Sequence, residues 1–293
     1  MDQAYVTQEN VLMATLTVRE AIYYSAQIQL PDTMPMAEKL ARADDTGREM
    51  GLTGAMDTRI GGRSSKGFSG GQQKRLSICL GILTRLRLLF LDEPTSGLDS
   101  AASFHVMSCI TGLAAREGMT VVAVVLQPCS EVFELFHGLC LLAAGNTIFF
   151  GPASTAAEFF ASNGYPCPPM RNPSDHFLRT VNKDFDKERK ERLQLMPAFA
   201  DEAIDILVNS YKSSNTSEVA KQEIRHIKEM ARATIGRNCA GFVTKTLVLT
   251  RRSFVNMYRD IGYYWLRLAI YVSISVCLGT IFYNVGYGPD STR

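Results

Sequence analysis

Residues 88–100 read LLFLDEPTSGLDS, and this run constrains the fold more than any other segment. Four apolar residues, Leu88 to Leu91, make a short run fit for a buried strand. Two carboxylates, Asp92 and Glu93, follow at once, so the strand would deliver both to the edge of a sheet. Pro94 cannot continue a ladder and forces a turn. A second short run, VVAVVL over 121–126, is β-branched and reads as a strand buried on both faces. Residues 139–150 are expected to form a hairpin around Gly145-Asn146. Apolar runs alternating with helical stretches over residues 1–165 give an α/β layered architecture.

The carboxylate pair suits phosphate chemistry. Asp92 can hold a hydrated magnesium ion that bridges nucleotide phosphates, and Glu93 can orient and polarise an attacking water. Upstream, Ser69, Gly70, Gly71 and Gln72 precede a helical stretch beginning near Gln72. Glycines let backbone N–H groups approach an anion, and a helix N-terminus adds favourable dipole. Lys74 and Arg75 raise the local positive potential and are expected to face solvent or a membrane domain.

Composition narrows the rest. The 293 residues carry a formal charge of +2, too near neutral for a nucleic-acid binder. Seven cysteines form no C-x-x-C pair, so reduced and mostly buried thiols are expected. The first ten residues lack the basic start and apolar core of a secretory signal. Pro166, Pro168, Pro169 and Pro173 then break regular structure, and a charged stretch, KDFDKERKER over 183–192, reads as solvated linker. Residues 166–240 are a linker and helical connector, and 241–262 an amphipathic connecting helix, read as lying along a membrane surface against the alternative of an ordinary surface helix.

No formal charge occurs between Arg267 and Asp290. A helix of about 20 residues spans roughly 30 Å, the thickness of a hydrocarbon core. Tyr263, Tyr264 and Trp265 suit the interface, and Lys245, Arg251, Arg252, Arg259 and Arg267 would keep the preceding side cytoplasmic. Residues 263–286 are therefore expected to be one transmembrane helix.

Together, SGGQ and LLFLDEPTSGLDS resemble the signature and Walker B motifs of ATP-binding-cassette (ABC) transporters, with Ser96-Gly97-Leu98-Asp99 as the D-loop. The segments 4–21, 127–136, 172–179 and 251–268 narrow the likeness to plant half-size transporters of the G (white–brown complex) subfamily, particularly cuticular-lipid exporters. The resemblance implies a partial ABC nucleotide-binding domain over 1–165, ATP and Mg²⁺ as cofactors, and a second half-transporter as partner. It also implies a plasma-membrane location with a cytoplasmic nucleotide-binding part. By that likeness Gln8 is the Q-loop glutamine, reaching the metal together with Asp92. Glu93 is then the catalytic carboxylate, and Ser69, Gly70, Gly71, Gln72 and Asp99 contact nucleotide.

Two departures bear on mechanism. No G-x-x-x-x-G-K-[ST] phosphate loop occurs in the 293 residues; Gly61 to Gly67 is glycine-rich without that spacing. Leu126 stands where the family has a histidine on the γ-phosphate, and losing one such donor commonly costs about 10²–10³ in rate. A chain of this composition is expected to complete at most one ATP site, with an intact partner, and reads as truncated at both ends. The function implied is ATP-driven export of lipidic compounds. The alternatives are an incompetent fragment that pairs with intact half-transporters, and a soluble ABC ATPase.

Overall fold

The computed structural model describes residues 3–9, 11–61, 69–182, 199–230, 240–260 and 264–283. The glycine-rich run at 62–67, the charged stretch at 183–192 and Cys239 lie outside the described residues.

Three parallel strands, β1 (Gln3–Val6), β2 (Leu88–Asp92) and β3 (Thr120–Val124), form a sheet in the order β1-β2-β3. Tyr5 stands beside Phe90, and Phe90 beside Val122. Because side chains alternate along a strand, Val6, Leu89 and Leu91 enter the core on one face. Tyr5, Phe90, Asp92, Val122 and Val124 share the other. The helices over the packed face are α1 (Val18–Gln29), α2 (Met36–Glu49), α3 (Gly70–Ile82) and α4 (Ser100–Glu117). Their buried residues, Ile22, Ala26, Leu76, Ile78, Cys79, Val106 and Ile110 among them, make one continuous core with β2. Gly81 lets α3 approach β1 closely: a Cβ there would stand 2.7 Å from Val6 Cγ2.

The expectation that residues 121–126 are covered on both faces is corrected. β3 ends at Val124 and is an edge strand, with Val122 and Val124 47% and 57% exposed. The apolar run reflects strand propensity, and among the described residues no second layer covers that face.

The hairpin is present as β4 (Gly138–Ala143) and β5 (Asn146–Pro152), turning at Ala144-Gly145, both at positive φ. A short helix, α5 (Ser130–Phe133), precedes it. Helices α6 (Ala153–Ser162), α7 (Pro173–Val181) and α8 (Phe199–Ser213) pack with the hairpin on a second core of Ile148, Phe149, Phe160, Phe177, Ile204 and Leu207. Phe160 stacks on Phe177 at 4.4 Å between ring centroids. Helix α9 (Asn215–Met230) follows.

Helix α10 (Phe242–Arg259) corresponds to the expected connecting helix and is docked on α1. Arg259 forks onto Glu20, at 2.6 Å to Oε2 and 2.9 Å to Oε1, while Thr15 bonds Asn256. At the other end Asp32 accepts from the Gly241 N–H at 2.7 Å and the Thr244 hydroxyl at 3.1 Å. Its outer face exposes Phe242, Leu247, Phe254 and Tyr258.

The expected span at 263–286 overlaps α11 (Leu266–Ile281), 16 residues long and exposed throughout. At about 1.5 Å per residue it reaches roughly 24 Å, short of the roughly 30 Å hydrocarbon core. Among the described residues no helix is long and apolar enough to cross a membrane. Positions 261–263 and 284–293 lie outside the described residues. The cysteine expectation is also corrected: of the six described, all unpaired, Cys79 alone is fully buried, while Cys140 and Cys277 are exposed. Burial pushes the Cys79 thiol far above its ordinary pKa.

Candidate functional site

Asp92 ends β2 as expected, and Glu93 follows with φ 42°, its N–H donating to Val124 O at 3.0 Å. That left-handed turn takes Glu93 off the strand line and holds it against the end of β3. The Tyr5 hydroxyl donates to Asp92 Oδ2 at 2.8 Å, and Gln8 Nε2 donates to Glu93 Oε2 at 2.7 Å. Gln8, Asp92 and Glu93 are thus gathered at one sheet edge. Bonding to Asp92 first, with desolvation and the carboxylate's charge adding, raises the Tyr5 hydroxyl pKa.

The other expected residues form a second group. Helix α3 starts at Gly70, two residues earlier than read, because Ser69 is its N-cap. Ser69 Oγ accepts from the Gln72 N–H at 3.3 Å, and the Gln72 side-chain oxygen accepts from the Ser69 N–H at 3.0 Å. Gln72 is therefore engaged in the cap through both its N–H and its side chain, and Gly70 and Gly71 open the helix at the cleft. Asp99 caps α4, its Oδ1 accepting from the Ala102 N–H at 2.7 Å. Gly97 sits at φ 73° in the turn between the carboxylates and α4. Ser69, Gly70, Gly71, Gly97, Leu98 and Asp99 line one open cleft of about 460 Å³. Gly71 lets the starts of α3 and α4 approach closely: a Cβ there would meet Ala102 Cβ at 3.3 Å.

Lys74 does not face solvent as expected, whereas Arg75 is half-buried and lines the open cleft. Arg75 bonds the carbonyls of Met50 and Gly51 at 3.3 and 3.2 Å, satisfying the end of α2. Lys74 is 2% exposed. Its ammonium donates to Gln8 O at 2.9 Å and reaches Thr7 O at 3.4 Å. Burial lowers its pKa, and the charges of Asp92 and Glu93 oppose that shift. Lys74, Ile78 and Ile82 recur every four residues on one buried face, the pattern that could have placed this lysine inside.

Leu126 is 64% exposed just beyond β3, next to Gln127 at φ 44°. The following carbonyl, Pro128 O, takes two bonds from the start of α7: Asn172 Nδ2 at 2.8 Å and Ser174 Oγ at 2.9 Å. Tyr5, Asn172 and Ser174 were not singled out as individual residues by sequence reasoning. The Asn-Pro step at a helix start was the signal for the latter pair.

Residues 2–96 match the family model described as ABC transporter, and residues 126–197 that described as ABC-2 type transporter. The ABC transporter G family member 1 of Petunia hybrida is 54% identical over 291 residues, 99% of this chain and 46% of the relative. The chain belongs to the ABC transporter G family. Another member of the family, the ABC transporter G family member 11 of Arabidopsis thaliana, is 51% identical over 97% of the chain and 42% of its own length. A more distant one, the broad substrate specificity ATP-binding cassette transporter ABCG2 of Sus scrofa, is 32% identical over the whole chain and 47% of its own length. The chain thus spans less than half the length of these relatives.

Proposed function

We propose that this chain supplies the signature face and the carboxylate pair of an ATP-driven export transporter that works as a pair of subunits. The observation that carries the reading is the gathering of Gln8, Asp92 and Glu93 at one sheet edge, with Gln8 2.7 Å from Glu93. The open Ser69–Gly71 helix start supports it as the surface offered to the partner's nucleotide.

The residues suit Mg²⁺. This cation takes one or two carboxylates and completes its shell with water and phosphate oxygens, needing no all-protein cage. Asp92, half-buried and held through one oxygen by Tyr5, is the carboxylate ligand, and the Gln8 amide oxygen is the neutral one. When bound, the ion neutralises charge developing on the phosphates. Glu93 orients and polarises the attacking water. The N–H groups opening α3 receive the partner's γ-phosphate.

Helix α10 carries the link from this site toward the bilayer, its outer face on the membrane surface. The segment after Arg267 spans the bilayer. Lipidic cargo at the plasma membrane fits the family likeness to cuticular-lipid exporters. Leu126 favours one second reading, a subunit that pairs with intact half-transporters and modulates them without turnover of its own. A leucine donates no hydrogen bond to phosphate.

The test is ATP hydrolysis by the purified 293-residue chain, alone and co-assembled with an intact G-family half-transporter. The reading expects turnover only in the mixed pair. Turnover by the chain alone that disappears in Glu93→Gln would contradict the shared-site arrangement.

A further inference from the structure

Lys74 is a buried cation that the chemistry above does not use. An ammonium has three N–H donors and loses its hydration on burial, so it persists inside only where acceptors replace water. Here the acceptors are the main chain of the segment after β1: Gln8 O at 2.9 Å and Thr7 O at 3.4 Å. The residue whose carbonyl receives Lys74 is the one whose side chain holds Glu93, at 2.7 Å. Lys74 itself rides on α3, one turn after the Gly70-Gly71 start that lines the cleft. A continuous bonded path therefore runs from Ser69, through the first turn of α3 and the Lys74 ammonium, to Gln8 and Glu93. An apolar side chain would fill the same space more cheaply; the ammonium adds a directional bond across two elements 66 residues apart in sequence.

We propose that Lys74 is a positioning residue that ties the helix start offered to the partner's nucleotide to this chain's own carboxylate, acting through the main chain of Gln8. What happens at Ser69–Gly71 is thereby felt at Glu93, and the two half-sites carried by one chain are not independent. The functional meaning rests on the reading that both half-sites handle nucleotide; the tether itself does not.

The test is a double-mutant cycle read by amide hydrogen exchange on the full chain. Ser69→Ala removes the cap and should loosen the first turn of α3, accelerating exchange there by about five-fold, the usual worth of an N-cap. In the Lys74 background the amides of residues 5–9 should accelerate with it, by about two- to five-fold. In a Lys74→Met background those amides exchange faster from the outset, and adding Ser69→Ala changes them no further. Lys74→Arg, which keeps a charged donor, should restore most of the protection and the coupling. Additive effects of Ser69→Ala and Lys74→Met on residues 5–9 would overturn the proposal. So would equal acceleration of the remote helix 199–213, which marks general destabilisation. Coupled exchange in a chain that never assembles an ATP-hydrolysing pair would sink the functional reading and leave the tether standing.

Discussion

The close approach of α3 to β1 decides where the signature helix sits relative to Gln8, and Gly81 makes it testable. Replacing Gly81 with alanine puts a Cβ 2.7 Å from Val6 Cγ2. Carbon atoms pack best at about 3.5–4.0 Å, so helix and strand must part by nearly an ångström. Overpacking of this kind costs about 1–3 kcal/mol. The substitution also removes a glycine from the last turn of α3, which by itself favours the folded state by about 1 kcal/mol. With Val6 in place these oppose, and Gly81→Ala should be neutral or destabilising by up to about 2 kcal/mol. Val6→Ala deletes the clashing methyl, so in that background the same change should stabilise by about 1 kcal/mol. The coupling is then about 1–3 kcal/mol, well above the scatter expected of independent sites. Thermal or urea unfolding of the four proteins measures it. If Gly81→Ala stabilises equally in both backgrounds, α3 does not lie against β1 as described, and the path from Ser69 to Gln8 fails with it.

The docking of α10 should depend on pH. The Arg259 fork holds the Glu20 carboxyl below its ordinary pKa, so the unfolded chain binds the proton more readily. That stabilisation is complete above the unfolded value, about 4.3, and is lost as pH falls through the folded one. Exchange of amides 242–259 should rise as pH drops below about 4.5 after correction for intrinsic rates, and Glu20→Gln should remove most of that dependence. Asp32, held low chiefly by the Gly241 N–H, acts with the same sign at the other end of the helix. Asn172→Ala should cost about 1–2 kcal/mol, since it removes both the α7 cap and a donor to Pro128 O. A melting temperature unchanged in that variant would show that α7 does not hold the Gln127-Pro128 turn.

Much of the carboxylate edge was legible before any coordinates, because a short apolar run ending in Asp-Glu-Pro can do little else at the end of a strand. The capped start of α3 was legible too, through Ser69 and the glycines, although its start was read two residues late. Lys74 was misread since its neighbours Gln73 and Arg75 are polar; only its i, i+4, i+8 kinship with Ile78 and Ile82 betrays the buried face. The edge position of β3 was not legible, since strand propensity reports what a pleated surface tolerates rather than what covers it. Tyr5 escaped because its partner lies 87 residues away and depends on strand register. The apolar stretch after Arg267 was read by length, yet the described helix runs only from Leu266 to Ile281.

The central claim is that the start of α3 completes a nucleotide site belonging to another subunit. Gly71→Asp in this chain places a carboxylate in the first turn of α3, where the account seats the partner's γ-phosphate. Measured as ATP turnover of the purified mixed pair, with assembly checked by co-purification, the substitution should lower the rate about 100-fold or more. An assembled pair that hydrolyses ATP at the unmodified rate would contradict the account.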